Sequence, residues 1–190
     1  MFGRIGRRQF IAGAGACLIL PLIRRAEAHL AMARGAVALA ELRAHSNCCI
    51  VGRPVARESH WATVGNTRRV VTVHRLQVDD LLEGVAEGAV LAVRTLGGRV
   101  GRIGQRVSGE AAFEPGARAV FFLVEVERDL YAVTDMAGGY YPLEQRDGIA
   151  RLRATIAAAP GSAAQQLSGA SLSSMRQLLF APAAGALHAP

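Results

Sequence analysis

The 190-residue chain contains no lysine; all 22 of its basic residues are arginine. A Walker-type phosphate loop, which needs a lysine, is therefore excluded. Aromatic residues make up only 5% of the chain, too few to build a flat aromatic binding face. Three cysteines are present, at 17, 48 and 49, and they supply no disulfide framework. Charged residues are scarce at 19%, against 51% hydrophobic, so disorder throughout is ruled out. No period of about 20 to 50 residues recurs, which excludes a repeat array. What is present is a formal charge of +7, and its location matters more than its size. Five arginines against one acid fall in residues 1–28; the remainder carries 17 against 14, or +3. That balance is no nucleic-acid signature.

Residues 1–28 read as an export signal. Arg4, Arg7 and Arg8 form a basic start, 10–23 is apolar, and Ala26-Glu27-Ala28 is a small-x-small cleavage site. The 14 apolar positions, interrupted by Gly13, Gly15 and Pro21, fall short of the roughly 20 that span a bilayer, so a stable membrane anchor is not expected. Arg7-Arg8-Gln9-Phe10-Ile11 resembles the twin-arginine (Tat) motif, an address read by a translocase. The weakly hydrophobic, Ala/Gly-rich stretch and Arg24-Arg25 before the site agree with that route. Cleavage after Ala28 is expected, which makes His29 the first mature residue. Cys17 after Ala14-Gly15-Ala16 is a faint lipobox, weakened by the missing Leu three positions before it.

In the mature chain Cys48 and Cys49 are neighbours, and adjacent strand residues point to opposite faces. A bond between them would close a strained ring. One is expected to be a core hydrophobe and the other to lie near the surface. No C-x-x-C or H-x-x-x-H spacing exists to recruit either to a metal. A terminal His29 could brace copper with its amine and ring nitrogen, as in copper-dependent polysaccharide monooxygenases, but nothing else in the chain resembles that family. Neither metal nor cofactor is assigned.

The periodicity beyond residue 35 is mainly that of short strands. Residues 35–45 predict one short helix. Strands follow over 49–59, 69–78, 89–95, 119–126 and 130–134, with short pieces at 140–143 and 148–152. Gly52 and Pro54 suggest a bulge or edge in the first. Gly65-Asn66, Glu114-Pro115-Gly116 and Arg128-Asp129 are turns. Residues 79–88 read as a turn or helical link. The continuous apolar run 119–126 reads as a central strand covered on both faces. Residues 156–190 form an Ala/Gly/Ser-rich tail, helical only near 171–180 and expected to be disordered from 181. The reading is an all-β domain over 29–155, a small barrel or sandwich of five to seven strands behind one helix.

Residues 96–109, with glycines at 98, 101 and 104, tempt a dinucleotide-loop reading, but no helix follows to meet a phosphate. A glycine-shaped loop with positive-φ positions is expected instead, pinned by Val100 and Ile103, with Arg99, Arg102 and Arg106 outward. Ser108, His74 and Asp79 can be assembled on paper into a triad, but Ser108 is not in a nucleophile elbow. Asp79-Asp80 lacks metal-ligand spacing.

The run 97–123 (GGRVGRIGQRVSGEA, then FEPGARAVFFL) resembles a group of small exported proteins from bacteria such as myxobacteria. These look like a signal peptide, a "VVVG" strand, a "VT…V" strand, the glycine run and a "GMAQG" segment. Here Val70-Val71-Thr72 stands for the "VT…V" strand and Asp135-Met136-Ala137-Gly138-Gly139 for the "GMAQG" segment, and the likeness covers residues 36–145. Asn47-Cys48-Cys49 departs from that group's Asp-apolar pair, and no activity comes with the resemblance. A looser likeness links Val51-Gly52, the VDDLLEG of 78–84, and 115–123 to the netrin-like OB barrel of tissue metalloprotease inhibitors. Those use an N-terminal Cys on the protease zinc, which the mature chain lacks, so only the fold is implied. The expectation is an exported, non-enzymatic binding or adaptor domain, periplasmic or secreted, with Arg99, Arg102 and Arg106 facing a partner protein or polyanion. The alternative is a metal- or cofactor-dependent periplasmic enzyme or accessory protein exported folded. Partners implied are the Tat translocase and an exported protein, with no nucleic acid.

Overall fold

The computed structural model describes residues 37–180. Arg7, Arg8, Phe10, Ala28 and His29, and with them the whole of the expected export signal, lie outside the described residues, as do 181–190. Helix α1 (Leu39–Ala44) precedes strands β1 (Cys48–Val64), β2 (Thr67–Gly84), β3 (Val90–Val100) and β4 (Ile103–Arg106). Strands β5 (Ala119–Glu127) and β6 (Leu130–Val133) follow, then a 3-10 turn (Met136–Gly139), β7 (Tyr140–Arg146) and β8 (Ile149–Leu152). Helices α2 (Ala163–Leu167) and α3 (Leu172–Phe180) end the described chain.

The chain is mostly β, and five of its strands close a ring in the order β1-β2-β3-β6-β5, with β5 returning to β1. Closure is made by Cys48–Gly52 against residues 123–119. Neighbours in the ring are antiparallel except β3 and β6, which run parallel. β6 and β7 lie end to end along the other edge of β5. There are eight strands, one more than the upper expectation, because the glycine run is a β3–β4 hairpin and not a loop.

Residues Ala119 to Leu123 are 0% exposed, and the alternation of the strand explains how. Ala119, Phe121 and Leu123 point into the barrel with Cys48, Ile50, Leu76, Leu91, Val93 and Phe113. Val120 and Phe122 point outward, where Leu39, Leu42, Ala163, Leu167, Met175 and Leu179 of the three helices cover them. Each buried Phe or Leu contributes about 2 kcal/mol of transfer free energy. The doubly covered strand expected over 119–126 is therefore present over 119–123, while Glu125 and Val126 at its end are exposed. The cysteines differ from expectation: both are 2% exposed, Cys48 in the barrel and Cys49 under the helices. Cys49 is buried because the helices cover what the sequence suggested was an open face. Burial pushes the Cys48 thiol up to about 11 and also raises the Cys49 thiol well above its ordinary range.

Other boundaries shift for local reasons. Residues 79–84, read as a turn or helical link, continue β2, paired with β1 through Cys48 opposite Gly84. The stretch beyond 155 carries two helices, not one, and both return to the barrel. The bulges expected at Gly52 and Pro54 are real register shifts between β1 and β2.

β1 and β2 are longer than their neighbours in the ring. Only five β1 residues pair with β5, and β2 meets β3 over Val71 to Gln77. The excess, residues 55–64 and 67–70, stands out as a two-stranded ribbon turned at Gly65 and Asn66. β3 leaves β2 after Leu96, where Gly97 (φ +95) and Gly98 (φ +132) bend it into the hairpin. A Cβ on Gly98 would sit 2.2 Å from Thr72 Oγ1 and 2.6 Å from Ser59 Oγ. Gly104, also read as structural, has no positive φ and meets only Gly98 O at 4.0 Å. Gly98→Ala should therefore lower the melting temperature by about 5 °C or more, from roughly 1–3 kcal/mol of strain. Gly104→Ala should leave it within about a degree; equal effects in a thermal melt would contradict this geometry.

Candidate barrel-mouth cleft

The ribbon, the hairpin and the loop 107–113 enclose a cleft of about 880 Å³ above one end of the barrel. The register defines one wall. Arg57 lies opposite His74, Ser59 opposite Thr72 and Trp61 opposite Val70, so each pair shares a face. β3 adds Thr95 opposite Thr72. Arg99, Gln105, Arg106 and Ser108 line the far side. Phe113 seals the bottom, its ring 4.5 Å from the His74 ring and 5.2 Å from Phe121 in the core.

Polar groups at this boundary are satisfied in chains. Ser59 and Thr72 hydroxyls lie 2.8 Å apart, and Thr72 Oγ1 donates to Gly97 O at 2.8 Å. His74 Nε2 is 3.1 Å from Thr95 Oγ1. Val70 N donates to Gln105 Oε1 at 2.7 Å, tying the hairpin to β2. The Glu110 carboxylate accepts from Leu96 N and Ala111 N, which holds the loop over the mouth. Burial raises Glu110, partly offset by those two hydrogen bonds. Burial, then the charge of Arg57, lowers His74 to about 4, so its ring is neutral at physiological pH.

The charges on the rim are unbalanced. Arg57, Arg99 and Arg106 line the cleft and Arg68 shares the face of Arg57, and none of the four has a carboxylate partner among the described residues; Arg102 at the hairpin turn, and Arg69 and Arg75 on the opposite face of β2, have none either. Elsewhere pairing is the rule: Arg43 with Glu83, Arg53 and Arg118 with Asp79, Arg94 with Glu127, Arg153 with Glu114.

Of the three arginines singled out in the sequence, Arg99 and Arg106 line the cleft, while Arg102 sits at the exposed hairpin turn. Val100 is half-buried, but Ile103, expected to pin the run, is 56% exposed, because a hairpin has two faces and this one faces solvent. Ser108 and His74 both line the cleft without a hydrogen bond between them, and Asp79 is engaged with Arg53 and Arg118. The paper triad is not assembled. Arg57, Ser59 and Thr72 do not stand out as site residues in the sequence; their alternation is visible, but their placement depends on a register between distant strands. Among the described residues no three His, Cys, Asp or Glu side chains converge as metal ligands, and no helix is long and apolar enough to cross a membrane. Compared with models of known families, with curated proteins and with solved structures, the chain matches none.

The folded pKa of His74 lies below its ordinary 6.5. Its contribution to stability is thus complete above about pH 6.5 and lost as pH falls toward 4. The melting-temperature gap between wild type and His74→Gln should be largest at pH 8 and shrink by pH 4.5. A gap independent of pH would mean the imidazole titrates as if exposed.

Proposed function

We propose that the chain is an exported, non-enzymatic binding domain that holds an anionic ligand in the mouth of an OB-type barrel. The observation that carries this reading is that Arg57, Arg99 and Arg106 line one cleft with no carboxylate partner, while Arg43, Arg53, Arg94, Arg118 and Arg153 are all paired. Guanidinium groups suit carboxylate, sulfate and phosphate, which they bind through forked hydrogen bonds. Barrel mouths are common ligand sites, and a cleft of this volume suits a small molecule or a segment of polymer. The ring order, with its parallel β3–β6 contact, supports the OB-type likeness. The neutral His74, bonded to Thr95 and packed at a tilt against Phe113, is consistent with a wall of the cleft.

Arg99→Ala with Arg106→Ala should weaken binding to heparin, the test polyanion, by about tenfold for each guanidinium that no longer reaches an anion. The melting temperature should stay nearly unchanged, since neither side chain has an acidic partner. Unaltered elution from a heparin column would sink the reading. Export is tested separately: Arg7→Lys with Arg8→Lys keeps the charge but not the guanidinium geometry. The precursor should then accumulate, with little mature protein beginning at His29; normal export would refute the twin-arginine route.

A further inference from the structure

We infer that the ligand track continues past the mouth along the inner face of the ribbon, and that its occupant is a linear acidic polysaccharide. This rests on the anion-binding reading of the mouth. The face that carries Arg57, Ser59, Thr72 and His74 also carries Trp61, Thr63, Arg68 and Val70, because Trp61 pairs with Val70 and Thr63 with Arg68. The Arg68 guanidinium lies 5.2 Å above the Trp61 ring. That cation–π contact holds the side chain in place on an otherwise open ribbon, so less rotamer freedom is lost when an anion arrives. Trp61 itself is 38% exposed. Six residues of β2 separate Arg68 from His74, roughly 20 Å at 3.3 Å per residue. A single small anion cannot touch both ends of that track, whereas a chain with spaced charges can.

The chemistry of the face selects among polymers. Thr72 and Thr95 are buried and bonded within the wall, but the exposed hydroxyls of Thr63 and Ser108 and the free amide nitrogen of Gln105 suit a polyhydroxylated chain, and the arginines suit its carboxylates or sulfates. Single-stranded nucleic acid is bound by stacking successive bases on free aromatic faces. Trp61 carries Arg68 on its ring, and Phe113 and His74 are buried against each other. No row of open aromatic faces exists here among the described residues.

The test uses the full mature chain and heparin oligosaccharides from disaccharide to decasaccharide, with single-stranded DNA of matched charge as comparator. Trp61 is the only tryptophan, so its fluorescence reports on the ribbon directly. Long oligosaccharides should shift it and disaccharides should not. Arg68→Ala and Trp61→Phe should each weaken the decasaccharide about five- to tenfold and leave the disaccharide unchanged, while Arg99→Ala with Arg106→Ala weakens both. Circular dichroism and melting temperature confirm that each variant folds. If the ribbon variants bind the decasaccharide like wild type while the mouth variants lose the disaccharide, the ribbon track is wrong and the mouth stands. If Arg68→Ala weakens every length equally, the ordered track is also wrong. Tighter binding of the DNA overturns the polysaccharide assignment, and no binding of any oligosaccharide overturns both readings.

Discussion

Everything in this molecule depends on β5 being buried on both sides. Residues Ala119 to Leu123 pair with β1 on one edge and with β6 and β7 on the other, and their side chains alternate between the barrel and the helical layer. A strand in that position cannot tolerate a polar residue on either face, and none occurs over 119–124. Because β5 closes the ring over only five residues of β1, the rest of β1 has no barrel partner but β2. The ribbon is the geometric remainder of that closure. The same step that completes the core thus leaves an open sheet face at one end.

Where the closed core gives way to that open face, the side chains change from apolar to polar in a short distance. Along β2, Leu76 lies in the core, His74 is neutral and packed at a tilt against Phe113, Thr72 is held by Ser59 and Gly97, and Arg68 reaches solvent. Burying a charged imidazole at the second of these positions would cost far more than burying a neutral one, which is why the ring sits well below its usual pKa. Gly98 is constrained for a related reason. β3 must pass against the Ser59–Thr72 hydroxyl pair before it can swing over the mouth, and the space there admits no Cβ.

The barrel walls are legible in the sequence and the mouth is not. Alternation in 69–78 and the unbroken apolar run 119–124 identify their strands because burial on one face or on two leaves a recognisable trace. The hairpin 97–106 does not read as strand because its glycines break that trace. They are there for backbone bends at 97 and 98 and for a turn at 101, so the local pattern reports the bends and hides the pairing. Helix α2 is hidden because five residues rich in Ala and Gln show no stripe until a surface is there to receive Ala163, Ala164 and Leu167. Arg99 and Arg106 can be named from their place among the glycines. Arg57 and Arg68 cannot, since nothing local shows that they share a face.

Charge is also divided along the barrel axis. The end opposite the mouth holds a smaller cleft, about 500 Å³, lined by Glu87, Glu125 and Asp129 with Arg128 and Tyr131. Acids are present at the mouth too, Glu110 in its lining and Glu58 in the ribbon, but neither pairs with an arginine, and the Glu110 carboxylate is taken up by Leu96 N and Ala111 N. Leaving like charges together on one face costs stability through repulsion, and salt screens only part of it. Since the chain uses arginine everywhere and lysine nowhere, residue choice alone says little about that face. Its distribution says more, because a guanidinium kept without a carboxylate retains its fork of donors for a ligand. On the proposed reading, an anion in the mouth would offset that repulsion, so polyanion binding should raise the melting temperature of the folded chain as well as report affinity.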